Sequence, residues 1–342
     1  LSWRRVTVLN ANSGDPYWSK PLNYRRRPLV VNDTLFIEPR AASLTTGEIK
    51  MRQHPITGAS VEWEFLRPGH SCGVITATPN NLFFRSFSAA IVNLEQDSGL
   101  QLFGGTRPGC WNSMIPANGL LTMQESSAGC TCSYALRTTV AMKTKKQKGP
   151  GEWAVFISQT PTVPVAHMAL NMGAPGDLRD PDGTMWFAYP RPDTSDGQGP
   201  FKNYGVKFDL NENDGTSVSR RDYRGVKFVG SEQPWLFTSS IQGIEELHVP
   251  LLDETEDGIY KVRIGFAARK GQTKGQRVFD VHLQDKGVLS AFDVLKEAKG
   301  PRETIIKEFT GIQVKDQLHF KFTSKLTGSR IDTSPMVQFI EI

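Results

Sequence analysis

From Ile244 onward the chain alternates apolar and polar residues with a period of two. Tyr260-Lys261-Val262-Arg263-Ile264-Gly265-Phe266 puts four apolar side chains on one face and Lys261 and Arg263 on the other. That period predicts a half-buried antiparallel strand. Arg277–Leu283, Leu318–Phe322 and Met336–Ile340 repeat it, with turn signals at Asp257-Gly258, Asp285-Lys286-Gly287 and Thr327-Gly328. Short strands separated in this way predict a β-sandwich. Trp153–Ile157 predicts one further strand, followed by a Pro/Gly/Asp-rich passage to about residue 230.

The first part of the chain has a different rhythm. Leu9–Trp18, His54–Trp63 and Val92–Phe103 each place Ser/Thr-Gly or Asp-Ser-Gly in a turn and a large aromatic four or five residues later. Their glycines, Gly14, Gly58 and Gly99, are 44 and 41 residues apart. Glycine supplies the positive φ of a tight strand-to-strand turn. A second phrase, with Asn leading into an apolar strand, recurs at Pro28–Ile37, Ala77–Phe84 and Ile115–Met123. A period in the low forties matches one four-stranded propeller blade.

These phrases resemble the PQQ-type β-propeller repeat, "A-x-D-x-x-T-G-x-x-x-W", over residues 1–142. The sequence departs from it at Asn12, where the repeat has Asp, and at Phe103, where it has Trp. The resemblance implies about three blades packed through Trp18, Trp63 and Phe103. A ring needs about four to eight, so the expectation is the end of a longer propeller, preceded by further chain.

The later strands resemble the malectin domain over about 165–342. Gly258–Phe266, Gln276–Val281, Val288–Val294 and Asp332–Met336 carry the likeness, with Asn171-Met172-Gly173 and Asp182–Trp186 matching more loosely. The resemblance implies a jelly-roll-like sandwich that binds oligosaccharide through loop aromatics and a terminal acid. Carried over residue by residue, it proposes Asp332 as that acid. Trp186 and Tyr189 are the candidate stacking surfaces, since sugar C–H faces pack on aromatic rings. The loop 267–275 departs from the family, with three cations and no aromatic, and Ala268 stands where the family has Glu.

The fold expected is therefore all-β: a partial propeller at 1–142, a basic Gly/Pro linker at 143–152 and a malectin-like sandwich at 153–342. Composition agrees, with 31 glycines and 21 prolines favouring turns. No apolar run reaches the length of a membrane span. The net charge of +5 is a small excess of 40 basic over 35 acidic residues. The dense clusters Arg25-Arg26-Arg27 and Lys143–Lys148 lack interleaved aromatics, so nucleic acid is not an expected partner.

Cys72, Cys110, Cys130 and Cys132 all lie in the first part, the first three beside a glycine. Their even number predicts two disulfides and an exported protein. Cys130 and Cys132 are too close to bond to each other, which leaves Cys72 and Cys110 as their partners in either pairing. The alternative is a metal site formed by His70, Cys72, Cys110, Cys130 and Cys132. The quinoprotein dehydrogenases with this repeat have vicinal cysteines at the cofactor. Cys130-Thr131-Cys132 does not match, so no PQQ and no other cofactor is expected.

No catalytic motif is present. Asp209–Gly215 and Asp177–Gly183 read as turns, Asp280 and Asp293 as structural acids, and His282 and His319 as residues of polar strand faces. The expected function is non-catalytic binding of carbohydrate or a protein partner at a cell envelope or surface. The rival is the C-terminal part of a quinoprotein dehydrogenase or carbohydrate-active enzyme, with its catalytic groups in upstream blades.

Overall fold

Repeated turn chemistry organises the first part of the chain. In the computed structural model, which describes residues 4–125, 139–146, 149–158, 160–191, 211–212, 217–253, 256–298, 300–326 and 333–342, one turn geometry recurs. Asn10 N donates to Asp15 O and Gly14 N to Asn10 O; Ser43 pairs in the same way with Glu48 and Gly47, and His54 with Ala59 and Gly58. The leading side chain accepts from the turn backbone, through Asn10 Oδ1, Ser43 Oγ or His54 Nδ1. Gly14, Gly47 and Gly58 have φ of 77°, 68° and 68°. The Gly47 turn is additional to those read from the sequence, because no aromatic follows it.

The strands between these turns form short antiparallel units. Leu29–Val31, Thr34–Ile37 and Arg40–Ser43 make one sheet. Thr76–Thr78, Asn81–Ser86, Ser88–Asn93 and Leu100–Phe103 make a four-stranded meander. Trp18 is buried, and its Nε1 donates to Leu44 O at 2.8 Å. Trp63 is half-buried, and its Nε1 donates to Asp97 Oδ1 at 3.2 Å. Both indoles thus reach a later turn, while Phe103 packs on a separate cluster around Phe83 and Met114. Only the Thr76–Phe103 unit has the four strands of a blade, and no sheet closes on itself among the described residues.

The second part is a sandwich. One sheet runs Leu178–Arg179, Met185–Tyr189, Ala169–Met172, Phe339–Glu341, Asp257–Ala267, Thr304–Lys315. The other runs Asn211–Glu212, Glu246–Pro250, Gln317–Ser324, Val278–Leu283, Lys286–Asp293. Between them lies a core that includes Val262, Ile264, Phe266, Phe279, Val281 and Phe320. The alternation read at Tyr260–Phe266 is realised, with Val262, Ile264 and Phe266 buried and Lys261 exposed. Asp257-Gly258 opens this strand and is not a turn before it. Trp153–Ile157 is not a strand either: Ala154 bridges to Asp177 and Val155 to Leu100, one bridge to each part of the chain. Thr327-Gly328 lies outside the described residues.

The two parts interlock at the His54–Gly58 turn. Ile56 is fully buried in the sandwich core, and Ala166 N and His167 N both donate to its carbonyl. At the neighbouring turn, a Cβ on Gly99 would overlap the Val155 carbonyl, so this close approach requires glycine. His54 packs edge-on against Phe156, and its Nδ1 must be unprotonated to accept from Thr57 N.

Burial, reinforced by the Arg52 guanidinium, pushes the His54 imidazole down from 6.5 to about 4. The folded value lies below the unfolded one. Stability from this group is therefore complete above 6.5 and is lost as the pH falls from 6.5 to about 4. Urea midpoints should fall across that window, and His54→Asn, which retains an acceptor without a proton to gain, should flatten the fall.

Candidate functional site

Trp186 lies in the interior. Met185–Tyr189 is covered on both faces: Met185, Phe187 and Tyr189 enter the sandwich core, while Trp186 enters a second cluster with Trp235, Phe237 and Phe339. Only 2% of Trp186 is exposed, and its Nε1 donates to Asp180 Oδ2 at 2.9 Å. Tyr189 is buried as well. Neither ring presents a stacking face to solvent. Asp332 lies outside the described residues.

The aromatic cluster around Trp186 nevertheless reaches the surface. Trp186 meets Trp235 edge to face at 6.1 Å, Trp235 meets Trp153 at 6.0 Å, and Trp153 meets Tyr223 at 5.7 Å. Beyond them opens a cleft of about 600 Å³, lined by Tyr223, Phe228, Trp235, Gln233, Glu232 and Asp182. Its frame is fixed by polar contacts: Tyr223 Oη donates to Gly151 O at 2.7 Å, and Gln233 Nε2 donates to Asp180 Oδ2 at 2.7 Å. Burial, with help from Glu152, pushes the Tyr223 hydroxyl up and keeps it neutral. Exposed Glu232 and Asp182 sit at the rim as acceptors.

Sequence reasoning missed this cleft. Its signal was the aromatic spacing Tyr223, Phe228, Trp235 within the Pro/Gly/Asp-rich passage. Phe228 also borders a smaller recess of about 20 Å³ that carries Arg221, Arg269, Lys270 and Arg302. Ala267, Arg269 and Lys270 of the cationic loop thus line a recess that shares Phe228 with the cleft.

The other candidate residues divide clearly. Asp177 is fully buried and ion-paired to Arg191. Asp180 accepts from Asp182 N, Thr184 N, Trp186 Nε1 and Gln233 Nε2. Asp293 caps the helical turn Val294–Glu297 by accepting from Leu295 N and Lys296 N. Asp280 pairs with Lys325. Glu212 and Asn211 form a short strand; the rest of 209–215 outside Asn211–Glu212 lies beyond the described residues.

Cys72 and Cys110 are half-buried thiols not joined to each other. Arg67 holds the Cys72 loop through Ser71 O and Gly73 O, and Arg85 Nη1 donates to Cys110 Sγ at 2.8 Å. Cys130 and Cys132 lie outside the described residues. His70 is exposed, with its ring against Phe87. Among the described residues, the group with metal-ligand spacing is Glu246, His248 and His319.

Layered sheets, antiparallel except where Ala169–Met172 runs parallel to Met185–Tyr189, with an aromatic-backed side cleft, define an all-β sandwich module. Residues 167–331 of this module match the family model of the malectin domain. Asp332 stands just past the match. No curated protein matches the sequence. Among solved structures, beta-glucuronidase 2 of Bacteroides uniformis is 12% identical with a TM-score of 0.38, covering 80% of this chain and 27% of that one. The ANXUR2 extracellular domain from Arabidopsis thaliana is 19% identical with a TM-score of 0.36, covering 51% and 40%. The plant receptor-like kinase FER is 19% identical with a TM-score of 0.34, covering 51% and 41%. The chain spans less than half the length of each, and likeness at these scores carries no argument about function. No helix of the described residues is long and apolar enough to cross a membrane.

Proposed function

We propose that this chain is a non-catalytic, exported binding protein whose malectin domain takes oligosaccharide in the Tyr223–Phe228–Trp235 cleft. The observation that carries the reading is that cleft, set in a domain that matches malectin over 167–331. Aromatic faces receive sugar C–H groups, while Glu232, Asp182 and Gln233 are placed to hydrogen-bond hydroxyls. The neighbouring cations favour a sugar bearing a carboxylate or other anionic substituent. Trp186 acts one ring behind, by supporting Trp235. Asp332 remains in the proposal as the family's terminal acid. The first part of the chain serves as a scaffold in the manner of PQQ-type propeller blades, without PQQ. Because Asp177, Asp180, Asp280 and Asp293 are engaged in internal bonds, binding is favoured over glycoside hydrolysis.

A glycan array followed by titration calorimetry on the whole chain tests this. Neutral and uronate-bearing oligosaccharides should both be present, and the acidic ones should bind better. Glu232→Gln, Asp182→Asn and Asp332→Ala should each weaken binding by about tenfold, the equivalent of one charged hydrogen bond. The first two are exposed and should leave the melting temperature unchanged. No binding of any oligosaccharide, or binding indifferent to these substitutions, would overturn the reading and leave a protein partner as the ligand.

A further inference from the structure

We propose that Glu246, His248 and His319 form a site for one divalent transition-metal ion, of the zinc class, on the outer face of the five-stranded sheet. The backbone register puts them together. Glu246 and His248 are two residues apart on Glu246–Pro250, so both point away from the core that buries Leu247 and Val249. His319 lies directly across the ladder from His248 on Gln317–Ser324. The two imidazoles are stacked, with centroids 4.1 Å apart and planes at 9°. One ligand atom from each of the three residues lies within 4.8 Å of the other two.

The distances suit an ion better than direct bonds. His319 Nε2 and Glu246 Oε2 are 4.0 Å apart, beyond hydrogen-bond length. Tetrahedral ligands at about 2.0–2.2 Å from one ion lie about 3.3–3.6 Å apart, so the site closes on an ion with a contraction of a few tenths of an ångström and a rotation of one imidazole out of the stack. His319 Nε2 is shielded from solvent and has no hydrogen-bond partner. That ring nitrogen is therefore available to a ligand. Two imidazoles and one carboxylate select zinc, copper or nickel over calcium or magnesium. Three protein ligands leave the remaining coordination to water or a further ligand.

Lys321 competes for the site. It stands opposite Glu246 in the ladder, with Nζ 3.4 Å from Oε1, and its side chain is 52% exposed. It can therefore swing out as the ion enters. His282 shares the face, but it stands opposite Lys321 and is not one of the three ligands.

The test uses the full chain without an affinity tag, titrated with Zn²⁺ alone and monitored by calorimetry. One equivalent should bind more tightly than about 1 mM. His248→Ala, His319→Ala and Glu246→Gln should each weaken binding at least about tenfold. Lys321→Met should tighten it. Circular dichroism and melting temperature check that the variants are folded. Co²⁺ should give a spectrum without a sulfur-to-metal charge-transfer band. Zinc binding that survives both histidine substitutions, a sulfur band with Co²⁺, or no binding at about 1 mM would each overturn the proposal.

Discussion

Replacing Asp177 by Ala should destabilise the protein by about 3–5 kcal/mol, because it leaves a cation stranded in the interior. The carboxylate is fully buried. Oδ2 accepts from Phe156 N at 2.7 Å, and Oδ1 accepts from Ala188 N at 2.8 Å and from Arg191 Nη1. Arg191 is itself buried and donates through Nη2 to Phe156 O. One side chain thus ties the 154–157 segment to the strand Met185–Tyr189. Asp177→Asn keeps the shape but turns an amide toward three donors, so it should cost less than the Ala substitution yet remain destabilising. Urea unfolding of Asp177→Ala, Arg191→Met and the double variant should show a double-mutant cost well below the sum of the singles, as coupled partners require. A loss under about 1 kcal/mol for Asp177→Ala would show that the pair contributes little net stability.

Ile56→Ala should cost about 2–5 kcal/mol, the range for removing a buried aliphatic side chain and leaving a cavity. The residue belongs to a turn of the first part of the chain, yet its side chain fills the core of the sandwich. The expected result is a lower urea midpoint for the sandwich, read from the fluorescence of Trp186 and Trp235. If the sandwich transition does not move, the turn does not contribute to that core in solution. The Thr57-to-His54 bond fixes the same turn, so Ile56→Ala and acidification should weaken one contact in two ways.

Local chemistry made much of the fold legible. The two-residue period at Tyr260–Phe266 and Leu318–Phe322 can be satisfied only by strands with one covered face, and these strands line the core. Ser/Thr-Gly and Asn turns demand particular φ values over four or five residues, so their repetition was readable without any tertiary information. The malectin resemblance extended that reading to the sandwich.

The binding surface could not be read in the same way. Trp186-Phe187-Ala188-Tyr189 resembled an exposed aromatic segment, but the Trp235–Phe237 turn and Phe339 cover the second face of its strand from distant points in the sequence. Burial on both faces removes the alternation that would have marked it as interior. The surface aromatics are instead those whose neighbours leave a side open, Tyr223 and Phe228. His248 and His319 show the same limit, since antiparallel register alone brings their rings to 4.1 Å. The sequence by itself determined where strands and turns form, because those depend on residues within a few positions of one another. Which aromatic faces solvent, and which charged groups meet, was decided only by packing between segments far apart in the chain.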